Sequence, residues 1–280
     1  MSLPSPSPES VVVVTGAASG IGAALVAEFT RGGYGVIAVD IDEERLADVA
    51  ANAAPAGTPV VTIGCDLADA QQRRALIERI AEDPRHLVGF CNNAGLYTTG
   101  RFHELPYERE SRVMAVNAVA PHELTSAVLP GMVERGEGAI LNTASIGANC
   151  PLPLATSYGA TKAFLHSFSQ ALHVELSGTG VSCTSLQPGP TLTKLVTDTV
   201  SNQDRLARAR RSRFSSAEDF LFLFREPAFV ARAAVRAMRR GDRTVVTGPK
   251  SRFLFAPTMR YAPHGLFLPV VREGVTRILH

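Results

Sequence analysis

The sequence has no tryptophan, only three lysines and no two cysteines close enough to form a C-x-x-C motif. Because the four cysteines are widely separated, neither a disulfide framework nor a zinc site is indicated, and we expect reduced thiols in a cytoplasmic protein. Basic and acidic residues number 28 and 26, a balance that does not indicate a nucleic-acid partner. No run approaches the roughly 20 apolar residues that a transmembrane helix needs, so we expect no membrane span.

Short apolar runs alternate with helical patterns, as in a parallel sheet that is covered by helices on both faces. The predicted class is α/β: a doubly wound Rossmann fold whose seven-stranded parallel sheet is flanked by helices. The predicted strands are 11–14, 35–39, 60–63, 87–91, 139–142, 181–186 and 244–247. The predicted helices are 21–31, 43–53, 69–82, 107–135, 157–176 and 227–239. We expect one domain over 11–249, preceded by a disordered segment at 1–10 that is rich in serine and proline.

A glycine-rich turn joins the first predicted strand to the first predicted helix. Its glycines would let the backbone approach a pyrophosphate, and the free N–H groups at the start of the helix favour negative charge. A purely structural turn could have the same composition. The flanking strand and helix, with Asp40 18 positions after Gly22, are nevertheless the context of a dinucleotide site. The candidate cofactor residues in this turn are Gly16, Ser19, Gly20, Ile21 and Gly22.

Asp40 ends the second strand and bears on the choice of cofactor. A carboxylate there can accept hydrogen bonds from the adenosine ribose but repels a 2′-phosphate, which favours NAD over NADP. Ser19 and Ile41 occupy the two places where a compensating basic residue could stand.

Further cofactor contacts are expected after the third and fourth strands. Asp66 and Leu67 are placed to reach the adenine, although Asp66 could instead cap the following helix. Asn93, Ala94 and Gly95 follow the fourth strand, where the backbone would pass close to the cofactor.

Tyr158 and Lys162 are four residues apart and therefore lie on one face of a predicted helix. A nearby ammonium favours a phenolate, which suits a tyrosine that acts as a general acid or base. Ser145 follows the fifth strand and could hydrogen-bond the reacting oxygen.

These residues resemble the short-chain dehydrogenase/reductase family, in its shorter single-domain branch, over about 11–248. The resemblance rests on T-G-x-x-x-G-x-G at 15–22, Asp66, N-N-A-G at 92–95, Asn117, Ser145, Y-x-x-x-K at 158–162, and Pro188-Gly189 followed by Thr193.

The resemblance implies an NAD-dependent oxidoreductase that interconverts a secondary alcohol and a ketone. Tyr158 would be the general acid/base, Ser145 would orient the substrate oxygen, and Lys162 would hold the nicotinamide ribose and lower the pKa of Tyr158. Asn117 would hold a water that links Lys162 to solvent, unless it is an ordinary mid-helix polar residue. The nicotinamide would meet Pro188, Gly189, Thr191 and Thr193, although Thr193 could be a plain helix cap. No metal is expected. The alternative from another class is a non-catalytic, NAD-sensing binding protein on the same fold.

The substrate is expected to be bulky and apolar, because the predicted lid at 191–225 contains several phenylalanines. Its arginines are interpreted as a solvated helix face rather than an anion site.

The resemblance also implies a homodimer or homotetramer joined through the helices near 107–135 and 157–176, with Ala163, Leu165, Phe168 and Leu172 as exposed interface positions. The extension at 250–280 is predicted to pack on its own domain or on a sister subunit near the substrate mouth. Attachment to an anionic membrane surface is the alternative.

Overall fold

A parallel sheet lies between two layers of helices. The structure is a computed structural model, and it describes residues 3–53, 58–191, 225–248, 251, 256–261, 263, 265, 268–269 and 271–273. The strands are β1 (Ser10–Thr15), β2 (Gly35–Asp40), β3 (Val60–Gly64), β4 (His86–Asn92), β5 (Gly138–Thr143), β6 (Val181–Gln187) and β7 (Thr244–Val246). The α-helices are α1 (Gly20–Arg31), α2 (Glu43–Ala53), α3 (Ala70–Ala81), α4 (Tyr107–Met114), α5 (Ala120–Arg135), α6 (Thr156–Glu175), α7 (Pro227–Arg240) and α8 (Ala256–Tyr261).

The strands pair in the order β3-β2-β1-β4-β5-β6-β7, and every pair is parallel. The chain therefore builds outward from β1 in one direction and from β4 in the other. This reversal of strand order opens a crevice beyond the carboxyl ends of β1 and β4, which is where such sheets bind ligands. The predicted fold, a seven-stranded doubly wound sheet, is confirmed.

Successive side chains of β1 point to opposite faces of the sheet and pack against different layers of helices. Val12 and Val14 pack with apolar residues of α1 and α7 on one face of the sheet. Val11 and Val13 pack on the other face, with residues of α3, α5 and α6. Both faces of the central strands are thus buried, which explains why these strands read as continuous apolar runs in the sequence.

Two predictions along the chain are wrong for the described residues. The single helix expected over 107–135 is divided by a π-helical segment at Ala115–Val119. The N-terminal segment, expected to be disordered, packs on the domain from Leu3 onward: the Leu3 side chain joins the core, and the Tyr34 hydroxyl donates to the Pro4 carbonyl at 2.7 Å. One buried leucine within a polar segment was too weak a signal to predict this.

Helix α6 differs from expectation in one further respect. Leu165 and Leu172 of α6, expected on an exposed interface, are buried against the sheet, because that face of the helix points into the core. Thr193, residues 192–224 of the expected lid and most of 250–280 lie outside the described residues. Among the residues that are described, no helix is both long and apolar enough to cross a bilayer.

Candidate active site

In the glycine turn after β1, the packing at Gly16 and Gly22 is too close for a side chain to fit. A Cβ on Gly16 would lie 2.7 Å from the Cα of Ala94, and one on Gly22 would lie 1.9 Å from the Gly16 carbonyl oxygen. Gly16 and Gly20 also have positive φ angles, 66° and 54°, which glycine adopts without strain. The turn therefore leaves bare backbone at the crevice.

Helix α1 begins at this turn with amide groups directed at the crevice. Ser19 is the N-cap residue, but its side chain makes no capping hydrogen bond. The first N–H groups of a helix have no partners within the helix, and the helix dipole adds positive potential there. Gly20, Ile21 and Gly22 are thus placed to donate to a phosphate group.

Asp40 lies at the carboxyl end of β2, beside the glycine turn. Its carboxylate accepts the Ala18 N–H at 2.9 Å and the Asp42 N–H at 3.1 Å. Ile41 is exposed, and no basic side chain is recorded in contact with the Asp40 carboxylate in the described part of the chain. The local charge is therefore negative where an adenosine ribose would lie.

Asp66 follows β3 and is bound by an arginine. Its carboxylate accepts the Ala68 N–H at 2.9 Å, and Arg112 of α4 contacts both of its oxygens, at 3.0 and 3.1 Å. Asp66 does not cap the next helix, because Asp69 accepts the Gln71 and Gln72 N–H groups in that role. Leu67, next to Asp66, is buried. The helix-cap alternative for Asp66 is therefore excluded.

The segment Asn92–Gly95 is tied to the glycine turn through Thr15. The Thr15 hydroxyl accepts the N–H groups of Asn93 and Ala94 at 3.0 and 3.1 Å and donates to the Cys91 carbonyl at 3.2 Å. The Asn93 amide donates to the Thr15 carbonyl at 3.0 Å. These contacts fix the backbone on both sides of the crevice.

Ser145, Tyr158 and Lys162 converge beyond β5. Ser145 caps a short 3-10 helix at Ile146–Asn149, and its hydroxyl oxygen accepts the Gly147 N–H at 3.1 Å. Tyr158 and Lys162 lie on the first turns of α6, with the Lys162 Nζ 5.9 Å from the centre of the Tyr158 ring. The sequence-predicted serine, tyrosine and lysine therefore meet at one edge of the sheet.

Lys162 is almost fully buried, at 4% exposure, and its ammonium donates to the Thr143 carbonyl at the end of β5 over 2.7 Å. Burial lowers the pKa of Lys162 to about 8, because removal of water disfavours the charged form. The group therefore remains mostly charged at neutral pH and loses its proton at a lower pH than an exposed lysine does.

Tyr158 has the opposite shift from the one expected. Burial raises the pKa of its phenol, a hydrogen bond with Ser145 lowers it, and the neighbouring Tyr97 raises it. In the protein without cofactor, burial has the largest effect on the pKa of Tyr158, and the Lys162 ammonium donates to the Thr143 carbonyl.

Asn117 lies in the π-helical segment between α4 and α5 and is fully buried. Its Oδ1 accepts the Leu96 N–H at 2.8 Å, and its Nδ2 donates to the Leu96 carbonyl at 2.9 Å and to Thr161 Oγ1 at 3.2 Å. Asn117 is therefore more than an ordinary mid-helix residue: it fixes the loop after β4. Its Oδ1 accepts one hydrogen bond in these contacts, and an amide oxygen can accept two, so Asn117 could still bind a water linked to Lys162.

The turn after β6 approaches the same crevice. The Pro188 carbonyl accepts the Ile146 N–H at 3.1 Å, next to Ser145. A Cβ on Gly189 would meet the Ser251 hydroxyl, so a larger residue there would require the Ser251 side chain to move. Thr191 is buried and donates to the Gly189 carbonyl at 2.9 Å.

Sequence reasoning missed two residues at this site. Tyr97 lies against Tyr158, with ring centres 4.8 Å apart, and Arg112 binds Asp66. Each contact joins residues more than 40 positions apart, and no local pattern marks either residue.

Comparison with known proteins identifies the family of the chain. The family profile described as short chain dehydrogenase matches residues 10–204. The chain belongs to the short-chain dehydrogenase family, whose members are oxidoreductases.

Individual relatives give the same family. A probable oxidoreductase of Mycobacterium tuberculosis, EphD, is 36% identical over 192 residues, which are 68% of this chain and 32% of that protein. This chain therefore spans about a third of the length of its mycobacterial relative. A 1-deoxy-11-beta-hydroxypentalenate dehydrogenase of Streptomyces exfoliatus is 37% identical over 191 residues, 66% of this chain and 68% of that protein. A solved short-chain dehydrogenase of Sphingobium yanoikuyae in complex with NADPH is 29% identical, covers 95% of both chains and superimposes with a TM-score of 0.73.

Proposed function

We propose that the chain interconverts a secondary alcohol and a ketone, with NAD as the cofactor and Tyr158 as the general acid/base. The observation that carries this proposal is the convergence of Ser145, Tyr158 and Lys162 beside the crevice where the strand order reverses. In ketone reduction, Tyr158 would donate its proton to the carbonyl oxygen while Ser145 holds that oxygen by a hydrogen bond. In alcohol oxidation, the phenolate would take the hydroxyl proton.

The residues at the crevice fit a nicotinamide dinucleotide. The glycine turn has no room for side chains at Gly16 and Gly22, and it opens onto the unpartnered amides of α1. Asp40 would hold the adenosine ribose, Asp66 and Leu67 the adenine, and Asn93, Ala94 and Gly95 would line the middle of the cofactor. Lys162 would hold the nicotinamide ribose, with Pro188, Gly189, Thr191 and Thr193 around the carboxamide. When bound, the nicotinamide supplies or accepts the hydride.

The preference for NAD rests on Asp40. The relative from Sphingobium yanoikuyae contains NADPH, so the family fold accommodates a 2′-phosphate. In this chain, the Asp40 carboxylate would repel such a phosphate, because two negative charges close together destabilise each other.

We also propose a bulky apolar substrate and a role for the C-terminal extension near it. The Streptomyces exfoliatus relative is named as a dehydrogenase of a hydroxylated compound, which supports action on an alcohol. The described helix α8 of the extension contacts the 3-10 helix Ile146–Asn149, which follows Ser145. We further propose a cytoplasmic location, which the four free and buried cysteines support.

The test is a spectrophotometric assay at 340 nm with NAD and a panel of secondary alcohols, and with NADH and the matching ketones. We expect turnover with ring-bearing or long-chain compounds, and we expect Tyr158→Phe to lower it by about 10² or more. Tight NAD binding with no change of absorbance across the panel would instead favour the non-catalytic NAD sensor, and turnover limited to small polyols would exclude the bulky apolar substrate.

A further inference from the structure

A second tyrosine ring stands directly beside the proposed acid/base. The rings of Tyr97 and Tyr158 meet edge to face, with centres 4.8 Å apart and planes at 75°. Tyr97 is only half-buried, so it remains accessible beside the Tyr158 ring. A substrate whose oxygen reaches Tyr158 must therefore bring its neighbouring atoms past Tyr97.

The loop that carries Tyr97 is held on both sides. On one side, both backbone polar groups of Leu96 are bound by the Asn117 side chain. On the other side, the Gly100 N–H donates to the Leu154 carbonyl at 2.8 Å. The Tyr97 ring is therefore a fixed surface rather than a mobile side chain on a free loop.

The loop that receives the Gly100 hydrogen bond is itself constrained. Leu154 has a φ of 66°, a left-handed conformation that costs a leucine energy and persists only where surrounding contacts enforce it. Leu152 of the same loop fills the space beside Gly147 and Gly159, with its atoms 2.7 and 3.0 Å from the positions that Cβ atoms there would occupy. Two constrained loops thus enclose the side of Tyr158 on which Tyr97 lies.

Tyr97 is suited to pack against substrate rather than to exchange protons. Burial raises the pKa of its phenol, so it remains a neutral ring through the pH range in which Tyr158 would act. Aromatic rings prefer edge-to-face or offset contact with other rings and gain binding from it beyond the area that they bury.

From this geometry we propose that Tyr97 is a specificity-determining residue, which favours alcohols and ketones with a flat ring next to the reacting carbon over flexible aliphatic ones. The proposal rests on the proposed function, since it assigns part of the substrate site of that reaction. It makes Tyr97 a substrate contact and leaves proton transfer to Tyr158.

The experiment compares two ketones of equal carbon number, acetophenone and octan-2-one, with NADH. The variants are Tyr97→Phe, which keeps the ring, and Tyr97→Leu, which keeps apolar bulk without a ring. Phe102→Leu is the matched control, because Phe102 is 59% exposed on a nearby 3-10 helix. We expect Tyr97→Leu to lower the ratio of kcat/KM for acetophenone over octan-2-one by about 5-fold to 10-fold, through KM. Tyr97→Phe and Phe102→Leu should keep the ratio within about twofold, with kcat and the pH profile unchanged in all three.

The outcomes separate the two proposals. An unchanged ratio in a folded Tyr97→Leu protein overturns the role of Tyr97, and so does an equal loss for both ketones. A lower ratio in Tyr97→Phe than in Tyr97→Leu overturns it as well, because the ring would then not be the recognised feature. Wild-type protein that binds NADH but reduces neither these two ketones nor any other ketone of the panel overturns the proposed function itself.

Discussion

Arg112 binds both carboxylate oxygens of Asp66, at 3.0 and 3.1 Å, and so connects the turn after β3 to helix α4. The pair is partly exposed, and such surface pairs stabilise a fold by only about 0.2–1 kcal/mol. Asp66 can thus serve the adenine of the cofactor without being needed for folding.

Two substitutions distinguish an adenine contact from a purely structural pair. Asp66→Ala should weaken NAD binding about 10-fold, because a hydrogen bond to the adenine amino group is lost. Arg112→Met breaks the same pair but leaves the carboxylate, so NAD affinity should stay within about threefold of the wild type. The measurement is the dissociation constant of NAD by isothermal titration calorimetry. Equal weakening by both substitutions would mean that Asp66 acts only through Arg112.

Tyr158→Phe should lower kcat by about 10² or more, the scale of a lost general acid/base. The dissociation constant of NAD should change by less than about twofold, since the variant keeps the ring. Tyr107→Phe makes the same chemical change on a tyrosine that is 77% exposed, and it should leave kcat intact. Wild-type turnover in Tyr158→Phe would remove Tyr158 from its proposed role.

Asp40→Asn should narrow the preference for NAD over NADP by at least about tenfold, measured as the ratio of kcat/KM values for the two cofactors. The Ala18 and Asp42 N–H groups bind different oxygens of Asp40, so asparagine keeps an acceptor for only one of them while it removes the charge that repels a 2′-phosphate. Asp42→Asn, two residues further along the chain, is the control and should leave the ratio unchanged. A wild-type protein that already prefers NADP would contradict the assignment of Asp40.

Lys162 should lower the stability of the cofactor-free protein. Its pKa is about 8 when folded and about 10.5 when unfolded, so the unfolded chain binds more protons between these values. The cost is therefore fully present below pH 8 and is relieved as the pH rises towards 10.5. Lys162→Met should raise the free energy of unfolding by about 1–3 kcal/mol at pH 7, with a smaller gain at pH 9.5.

Urea denaturation at the two pH values measures this effect, and the same variant should be inactive. Tyr158→Phe is the control, because a phenol whose pKa is raised stays neutral at both pH values, so its effect on stability should not change between them. A loss of stability in Lys162→Met at pH 7 would mean that the hydrogen bond to the Thr143 carbonyl outweighs the burial of the charge.

The sequence predicted the regular part of this fold closely and the irregular part poorly. Strands such as β2 and β5 were placed to within one residue at each end, because a strand buried on both faces reads as a continuous apolar run. The π-helical segment around Asn117 was missed, since it continues between two α-helices and differs from them only in its hydrogen-bond pattern, which the sequence does not mark.

In the candidate site, too, some residues could be predicted from the sequence and others could not. Ser145, Tyr158 and Lys162 were found because their spacing places them on one loop and one helix face. The partners that tune them, Tyr97 and the Thr143 carbonyl, depend on how distant segments meet, and spacing carries no information on that. The predicted direction of the Tyr158 pKa shift differs from that in the structure because burial, rather than the nearest charge, has the largest effect on this pKa.

The outer surface of helices α4 to α6 should join two copies of the chain. Its exposed apolar side chains include Met114, Val119 and Phe164, and Phe164 stacks on Phe168 with ring centres 5.9 Å apart. A cluster of this kind lowers the free energy of association when a second copy covers it. We expect light scattering after size exclusion to give the mass of a dimer or tetramer at micromolar concentration, and Phe164→Glu to shift the mass towards the monomer. Val61→Glu is the control, because it adds the same charge at an exposed apolar position on β3, at the far end of the sheet from α6. A wild-type protein that is strictly monomeric would exclude the interface, and a Phe164→Glu protein that keeps the wild-type mass would place it on another surface.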